Sequence, residues 1–151
     1  MVTTPAMPAE VVYDLLNDNW REANIAKPEI KQRETAQELR EEIPDAGLLL
    51  IYAETGGVRI QPRGNRMYKD EIVNVVVEIH SLTSHYHFYQ LAEEIIRVFE
   101  EKTRDVCPYH MTRSMSYSES YGTTYQHWKG DVRVELNRVA IRTAFEGYDG
   151  T

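Results

Sequence analysis

Nine residues in the middle of the chain alternate with the period of a β-strand. Over residues 72–80, one face carries Val73, Val75, Val77 and Ile79, and the other carries Asn74, Glu78 and His80. Successive side chains of a strand point to opposite faces of its sheet. The pattern therefore predicts a strand in a sheet with one covered face and one face turned to water.

Two amphipathic helices are predicted to supply the cover. The first spans residues 8–19, where Pro8 suits the first helical turn, and the second spans residues 85–103. Their apolar stripes consist of Val11, Val12, Leu15, Leu16 and Trp20 in the first helix, and Phe88, Leu91, Ala92, Ile95, Val98 and Phe99 in the second. The charged side chains Glu93, Glu94, Arg97, Glu100 and Glu101 are expected mostly opposite the second stripe, which would pack on the Val73 face.

The other segments predict more strands. Residues 27–31 form a short extended piece, residues 35–43 one or two helical turns, and residues 48–53 a strand buried on both faces. Gly56-Gly57 predicts a tight hairpin that leads into a return strand at 58–61. Residues 111–121 and a segment from Val132 onward complete the set, with a bulge or a change of partner around Asn137-Arg138. The result is one α+β domain over residues 1–151, with a mainly antiparallel mixed sheet and two long helices packed on one face.

Charge and composition narrow the function classes. The chain has 17 basic and 24 acidic residues, a net charge of −7 and a pI near 5.2, which disfavours broad nucleic-acid binding. Membrane spans need about 18 consecutive apolar residues, and the sequence has no such run. Residues 1–5 lack the features of a signal peptide, so we expect the protein in the cytoplasm where it is made. Cys107 is the single cysteine, which excludes an internal disulfide.

Two groups of residues carry types used in catalysis. His80, His85 and His87 are close enough in sequence to suggest a metal site, although residues two apart on a helix do not face each other. Polar capping of a strand-to-helix turn is the favoured interpretation. Cys107 and His110 lack the cationic surroundings that activate a thiol. We therefore expect no enzyme activity and no cofactor.

The segment at residues 62–69 is rich in turn-forming residues and concentrates positive charge in this acidic chain. Pro and Gly delimit its tip, and Arg and Tyr are enriched at protein interfaces. We predict a subunit or partner interface formed by Arg59, Arg63, Asn65, Arg66, Tyr68 and Lys69.

The order of these segments resembles that of the tail-terminator (tail-completion) proteins of long-tailed, siphovirus-like viruses. The resemblance covers about residues 8–142. It depends on the helix that ends near Trp20, the Lys27-Pro28-Glu29-Ile30 segment, the strand at 48–53, the Arg63-Gly64-Asn65-Arg66-Met67-Tyr68 turn, and the strand-turn-helix unit from Val73 through Ser84 to Phe99. Residues 21–46 match the pattern least well.

The resemblance implies a viral structural protein of the tail or neck. Such a subunit forms a homohexameric ring on the last ring of the tail-tube protein, ends tail polymerisation and meets the head–tail connector or adaptor proteins. Genome DNA would pass through the lumen without sequence-specific binding, no membrane would be involved, and the protein would reside in the virion. Two alternatives remain: a head-closure or adaptor protein of the same neck, and more distantly a metal-dependent enzyme that uses His80, His85 and His87.

Overall fold

The apolar periodicity of the sequence corresponds to regular elements in the structure, a computed structural model that describes residues 7–33, 42–54, 59–62, 68–102, 109–122 and 127–141. In chain order these elements are α1 (Pro8–Asn19), β1 (Glu29–Gln32), β2 (Leu48–Ala53), β3 (Arg59–Pro62), β4 (Tyr68–Ser81), α2 (His85–Glu101), β5 (His110–Gly122) and β6 (His127–Ile141). This order confirms the predicted one. The helical turns predicted within residues 35–43 fall largely outside the described residues.

The strands form one mixed sheet, so the α+β class is confirmed. The order across the sheet is β1-β2-β4-β6-β5, and β3 also pairs with β4. β1 runs parallel to β2, whereas the other pairs are antiparallel. β4 and β6 form its centre, with an unbroken register from Tyr68 opposite Ile141 to Ser81 opposite Trp128.

The predicted hairpin at Gly56-Gly57 is wrong. β2 and β3 do not pair with each other; both run antiparallel to the same edge of β4. Ala53 lies opposite Val75, and Arg59 lies opposite Ile72, which is three residues nearer the N-terminal end of β4. The chain thus continues along β4 after the intervening residues, and its reversal comes after Pro62, which pairs with Lys69.

Both faces of β4 are buried from Val75 to Ser81, which corrects the expectation of one face open to water, while Asn74 is half-buried. We call the face of Val73, Val75, Val77 and Ile79 the first face, and that of Val76, Glu78 and His80 the second face. The first-face side chains belong to one core that also contains the apolar side chains of α1 and α2, including Leu16 and the complete predicted stripe of α2. On the second face, Val76 and His80 are fully buried and Glu78 is 7% exposed.

β6, the last strand, keeps its register with β4 around Asn137-Arg138, where the sequence predicts either a bulge or a change of partner. β6 pairs with β4 through Asn137 and Arg138 without a shift, so the bulge is not there. Pairing with β5 ends at Asn137, opposite His110, the first residue of β5, while pairing with β4 continues to Ile141, so the described residues show no exchange of partner either. The irregularity lies in β5, where the register shifts between Met111 and Met115.

The helices start where the sequence predicts. α1 has Pro8 at its beginning, and α2 begins after Ser84, whose side chain accepts a hydrogen bond from the His87 backbone N–H. Glu94 of α2 is buried, although the sequence places it among the exposed charges. In the described part of the chain, neither helix is long and apolar enough to cross a membrane.

Candidate functional site

The three histidines proposed as metal ligands lie in different surroundings. His80 lies on the second face of β4, where its Nε2 is 2.6 Å from Glu78 Oε1 and its Nδ1 is 2.7 Å from His127 Nε2. Both ring nitrogens are therefore engaged by protein groups. The residues that the structure describes include no group of three or more His, Cys, Asp or Glu side chains arranged to hold a metal ion.

The other two histidines lie toward the first face. His87 Nδ1 is 2.6 Å from the hydroxyl of Ser81, the last residue of β4. His85 Nε2 is 3.0 Å from Glu119 Oε2, and its ring packs on Trp128 with centroids 4.3 Å apart. Together with the Ser84 cap, these contacts fasten the strand-to-helix turn. They agree with the capping interpretation, but Ser84 is the residue that caps the helix.

A chain of hydrogen bonds on the second face is the most unusual polar feature of the core. It runs from the Tyr52 hydroxyl to Glu78, to His80 and then to His127. The His80 and His127 rings also stack, with centroids 4.9 Å apart. A carboxylate orients one imidazole, which in turn fixes the next, so a proton can be shared along the chain without bulk water.

The electrostatics of this hydrogen-bonded group favour an ionised Glu78 carboxylate and a neutral His127 imidazole. Burial acts to raise the pKa of Glu78, but the hydrogen bond and charge of His80 hold that pKa below its ordinary value. Burial lowers the pKa of His127, and the charges of His80 and Lys129 lower it further. The folded state therefore disfavours protonation of His127.

These shifts predict a specific dependence of stability on pH. Burial also lowers the pKa of His87. Below about pH 6.5 the unfolded chain takes up protons at His87 and His127 that the folded chain resists, so both residues reduce the free energy of unfolding as pH falls. We expect His127→Gln and His87→Gln each to lose less stability than wild type between about pH 7.5 and 5.5.

Urea unfolding at several pH values measures this difference. One histidine that stays neutral in the folded state contributes at most about 1.4 kcal/mol per pH unit. Equal pH slopes in wild type and both variants would show that these imidazoles titrate alike in the folded and unfolded chain.

A second polar cluster joins the segment after α1 to α2. Glu94 accepts hydrogen bonds from the Arg21 backbone N–H at 2.8 Å, from Asn24 Nδ2 at 2.9 Å and from Arg97 at 2.6 and 2.8 Å. Arg97 also donates to the Asn19 carbonyl oxygen at 2.8 Å. Burial acts to raise the pKa of Glu94, but these donors hold it below its ordinary value. Both oxygens of the Glu94 carboxylate accept hydrogen bonds. The cluster therefore fastens the end of α1 to α2.

The predicted interface lies at the β3–β4 end of the sheet. Arg59 is in β3, and Tyr68 and Lys69 begin β4. Arg63, Asn65 and Arg66 lie outside the described residues, as does Cys107, while His110 is the first residue of β5. β3 and β4 pair antiparallel as far as Pro62 opposite Lys69, so these two strands flank the basic segment in the sequence.

Sequence reasoning missed the partners of His80. Glu78 and His80 are two residues apart, so they share one face of a strand, and that spacing was a usable signal once valines flanked both sides. His127 lies in a later strand, and nothing in its neighbourhood points to His80. Two of the four donors on Glu94 were equally invisible, because Arg21 and Asn24 belong to the segment after α1; the other two come from Arg97, three residues along α2.

Comparisons with known proteins give no family assignment. The chain matches no protein-family model. It matches no curated protein either. Its function therefore has to be argued from its own residues and fold.

Proposed function

We propose that this chain is a tail-terminator-like structural subunit of a virion. In this proposal six copies form a ring on the last ring of the tail tube, end its polymerisation and join the tail to the head connector. The two helices cover the same face of each subunit's sheet. The ring resides in the neck, and DNA passes through its lumen without sequence-specific binding. The protein is made in the host cytoplasm.

The long β3–β4 end of the sheet is the observation that carries this proposal. Among the residues whose burial is described, Ile72 is the first buried apolar side chain of β4, and the strand continues back to Tyr68 and stays paired with β6 there. A strand advances about 3.3 Å per residue, so Tyr68 lies roughly 13 Å along β4 from Ile72. The basic segment with Arg63 and Arg66 connects the strands at this end. In this proposal the extension reaches the neighbouring subunit of the ring.

Two unlike surfaces on one chain further support the ring. Apolar side chains of α1 and α2 enter one core with the first-face residues, which supports a helical layer over that face. The exposed positions of that layer are rich in acids, including Glu10, Asp14, Asp18, Glu93 and Glu100. A basic end and an acidic layer suit head-to-tail contact, which closes into a ring when the rotation between copies allows it.

Deleting the gene from the virus that encodes this chain tests the proposal. A tube built from identical rings keeps adding subunits until a different ring binds its end. We expect filled heads and separate tail tubes of uncontrolled length, both visible by negative-stain electron microscopy. Supplying the protein in trans should restore joined particles, and averaged images of the purified protein bound to tubes should show a terminal ring.

Other phenotypes would point elsewhere. Tails of normal length beside heads that leak DNA would identify a head-closure or adaptor protein. Normal virions would dismiss both functions.

A further inference from the structure

We infer that His80 and His127 form a pH-sensitive contact that holds the first residues of β6 to β4 and releases them when both imidazoles are protonated. His127 is the first residue of β6, and His80 is the last residue but one of β4. The contact lies on the second face, beside the end of the ladder where Ser81 pairs with Trp128. It does not depend on the proposed ring.

The distance between the two rings limits the number of protons that they can hold. His80 Nδ1 and His127 Nε2 are 2.7 Å apart, which is the separation of a hydrogen bond with one proton between the two nitrogens. A protonated imidazole carries a proton on each of its nitrogens. An N–H bond is about 1 Å long, so two protons between these rings would lie less than about 1 Å apart. The rings therefore have to separate when both are protonated.

Glu78 fixes the other side of the His80 ring. Its Oε1 is 2.6 Å from His80 Nε2, and the His80 side chain is fully buried. A carboxylate only accepts hydrogen bonds, so His80 keeps a proton on Nε2 and presents Nδ1 to His127. The ring cannot turn away from His127 without leaving Glu78, a buried acid, without this donor. The contact is thus stable with one shared proton and is broken by a second.

The charges around the pair decide where the second proton binds on the pH scale. The groups that face the two rings or Glu78 are Tyr52 of β2, Lys129 and Asp131 of β6, and Arg33, which follows β1. In β5, the positions opposite His127 and Lys129 are Gly122 and Ser120, which do not titrate. Burial lowers the pKa of His127, and the charges of His80 and Lys129 lower it further. Release is therefore expected below about pH 6.5.

Separation of the rings would open one end of the sheet and leave the rest closed. The described pairing of β6 with β4 begins at Trp128, and the ends of such ladders open at a lower free energy than the core. Farther along β6, Val132 and Val134 are buried in the core and hold the strand in place. Trp128 also packs on His85 of α2. The opening would thus reach the start of α2 as well.

Nitrogen-15 NMR of the labelled wild-type protein tests the contact directly. At about pH 7.5, we expect a scalar coupling between His80 Nδ1 and His127 Nε2, because a hydrogen bond between two nitrogens transmits such a coupling. The coupling should disappear toward about pH 5, together with the appearance of imidazolium shifts at both rings. Absence of the coupling at about pH 7.5, or its persistence with both rings protonated, would overturn the inference.

Amide hydrogen exchange measures the release of the strand. After correction for intrinsic exchange, acidification from about pH 7.5 to about pH 5 should reduce the protection of Trp128 and Lys129 by about tenfold or more, and that of Val134 by less than about twofold. His127→Gln retains a hydrogen-bonding side chain that does not titrate, so it should abolish the response. His85→Gln is the matched control, because it removes an imidazole near the same end and should respond like wild type.

Two results of the exchange experiment would contradict the inference. Equal loss of protection at Trp128 and Val134 would mean that the whole sheet opens instead of one end. A response that survives in His127→Gln would mean that other groups cause it.

Discussion

Replacing Gly130 with alanine is expected to lower the free energy of unfolding by about 3 kcal/mol or more, the upper range for overpacked cores. Gly130 lies in β6 between Ile79 of β4 and Glu119 of β5. A Cβ at this position would collide with the carbonyl oxygen of Ser118, and it would lie 2.7 Å from Phe88 Cζ and 2.9 Å from Glu119 Cα. The β5 backbone supplies two of these neighbours, and it is held by its own pairing with β6.

Urea unfolding of the purified variant measures the loss. Ser118→Ala is the matched control, because it alters an exposed side chain on the adjacent strand and should change stability by less than about 0.5 kcal/mol. Adding Phe88→Leu to Gly130→Ala should not restore stability, since the collision with the β5 backbone remains. A Gly130→Ala variant as stable as the control would mean that β5 and β6 separate more easily than their register indicates.

Removing either member of the Glu78–His80 pair is expected to lower the free energy of unfolding by about 3–5 kcal/mol. His80 is fully buried and Glu78 nearly so, and their side chains are 2.6 Å apart. His80→Ala leaves a buried carboxylate without its strongest donor, while Glu78→Ala leaves a buried imidazole. Replacing both with leucine removes the two buried polar side chains together, so we expect the double variant to be more stable than either single variant.

A double-mutant cycle with urea unfolding tests this pair. The exposed Glu29–Lys31 pair, with an N–O distance of 3.3 Å, serves as the control and should show a coupling energy below about 1 kcal/mol. Additive losses at Glu78 and His80 would show that the two groups do not depend on each other for their burial.

Local periodicity was sufficient to predict most of the elements. The apolar spacing around Leu15 and around Ile95 is helical over several turns, and the structure begins both helices at the predicted residues. The apolar run at Leu48–Ala53 forms a strand whose first five residues are buried, as its lack of alternation indicated. These features depend on neighbours within a few residues, and the sequence shows such neighbours directly.

Strand partners were harder to predict, because they depend on residues far apart in the chain. Gly56-Gly57 is a turn signal, but a turn signal does not specify which strand follows beside which. β2 pairs with one edge of β4 as far as Ala53, and β3 pairs with the same edge from Arg59 onward. The two strands therefore lie one after the other along β4 and form no hairpin with each other. The β5 irregularity was assigned to β6 for the same reason, since a change of apolar parity does not show which strand deviates.

The burial of certain polar residues could not be predicted from the sequence either. Glu78, His80 and Glu94 occupy polar positions of amphipathic patterns, and such positions normally face water. Each is buried with partners from other elements, such as His127 and Asn24. The basic residues Arg63 and Arg66, in contrast, were noticed from composition alone, and they lie outside the described residues.

The central position of β4 has a consequence for how the chain folds. β4 receives β2 and β3 on one edge soon after it is made, but its other edge waits for β6, which follows the whole of α2 and β5. Pairing between such distant segments gives a high contact order, and chains of this kind fold slowly. Until β6 arrives, a strand with four valines among residues 73–77 offers an open edge to other unfinished chains. The rate at which the last strand docks therefore sets the competition between folding and aggregation during synthesis.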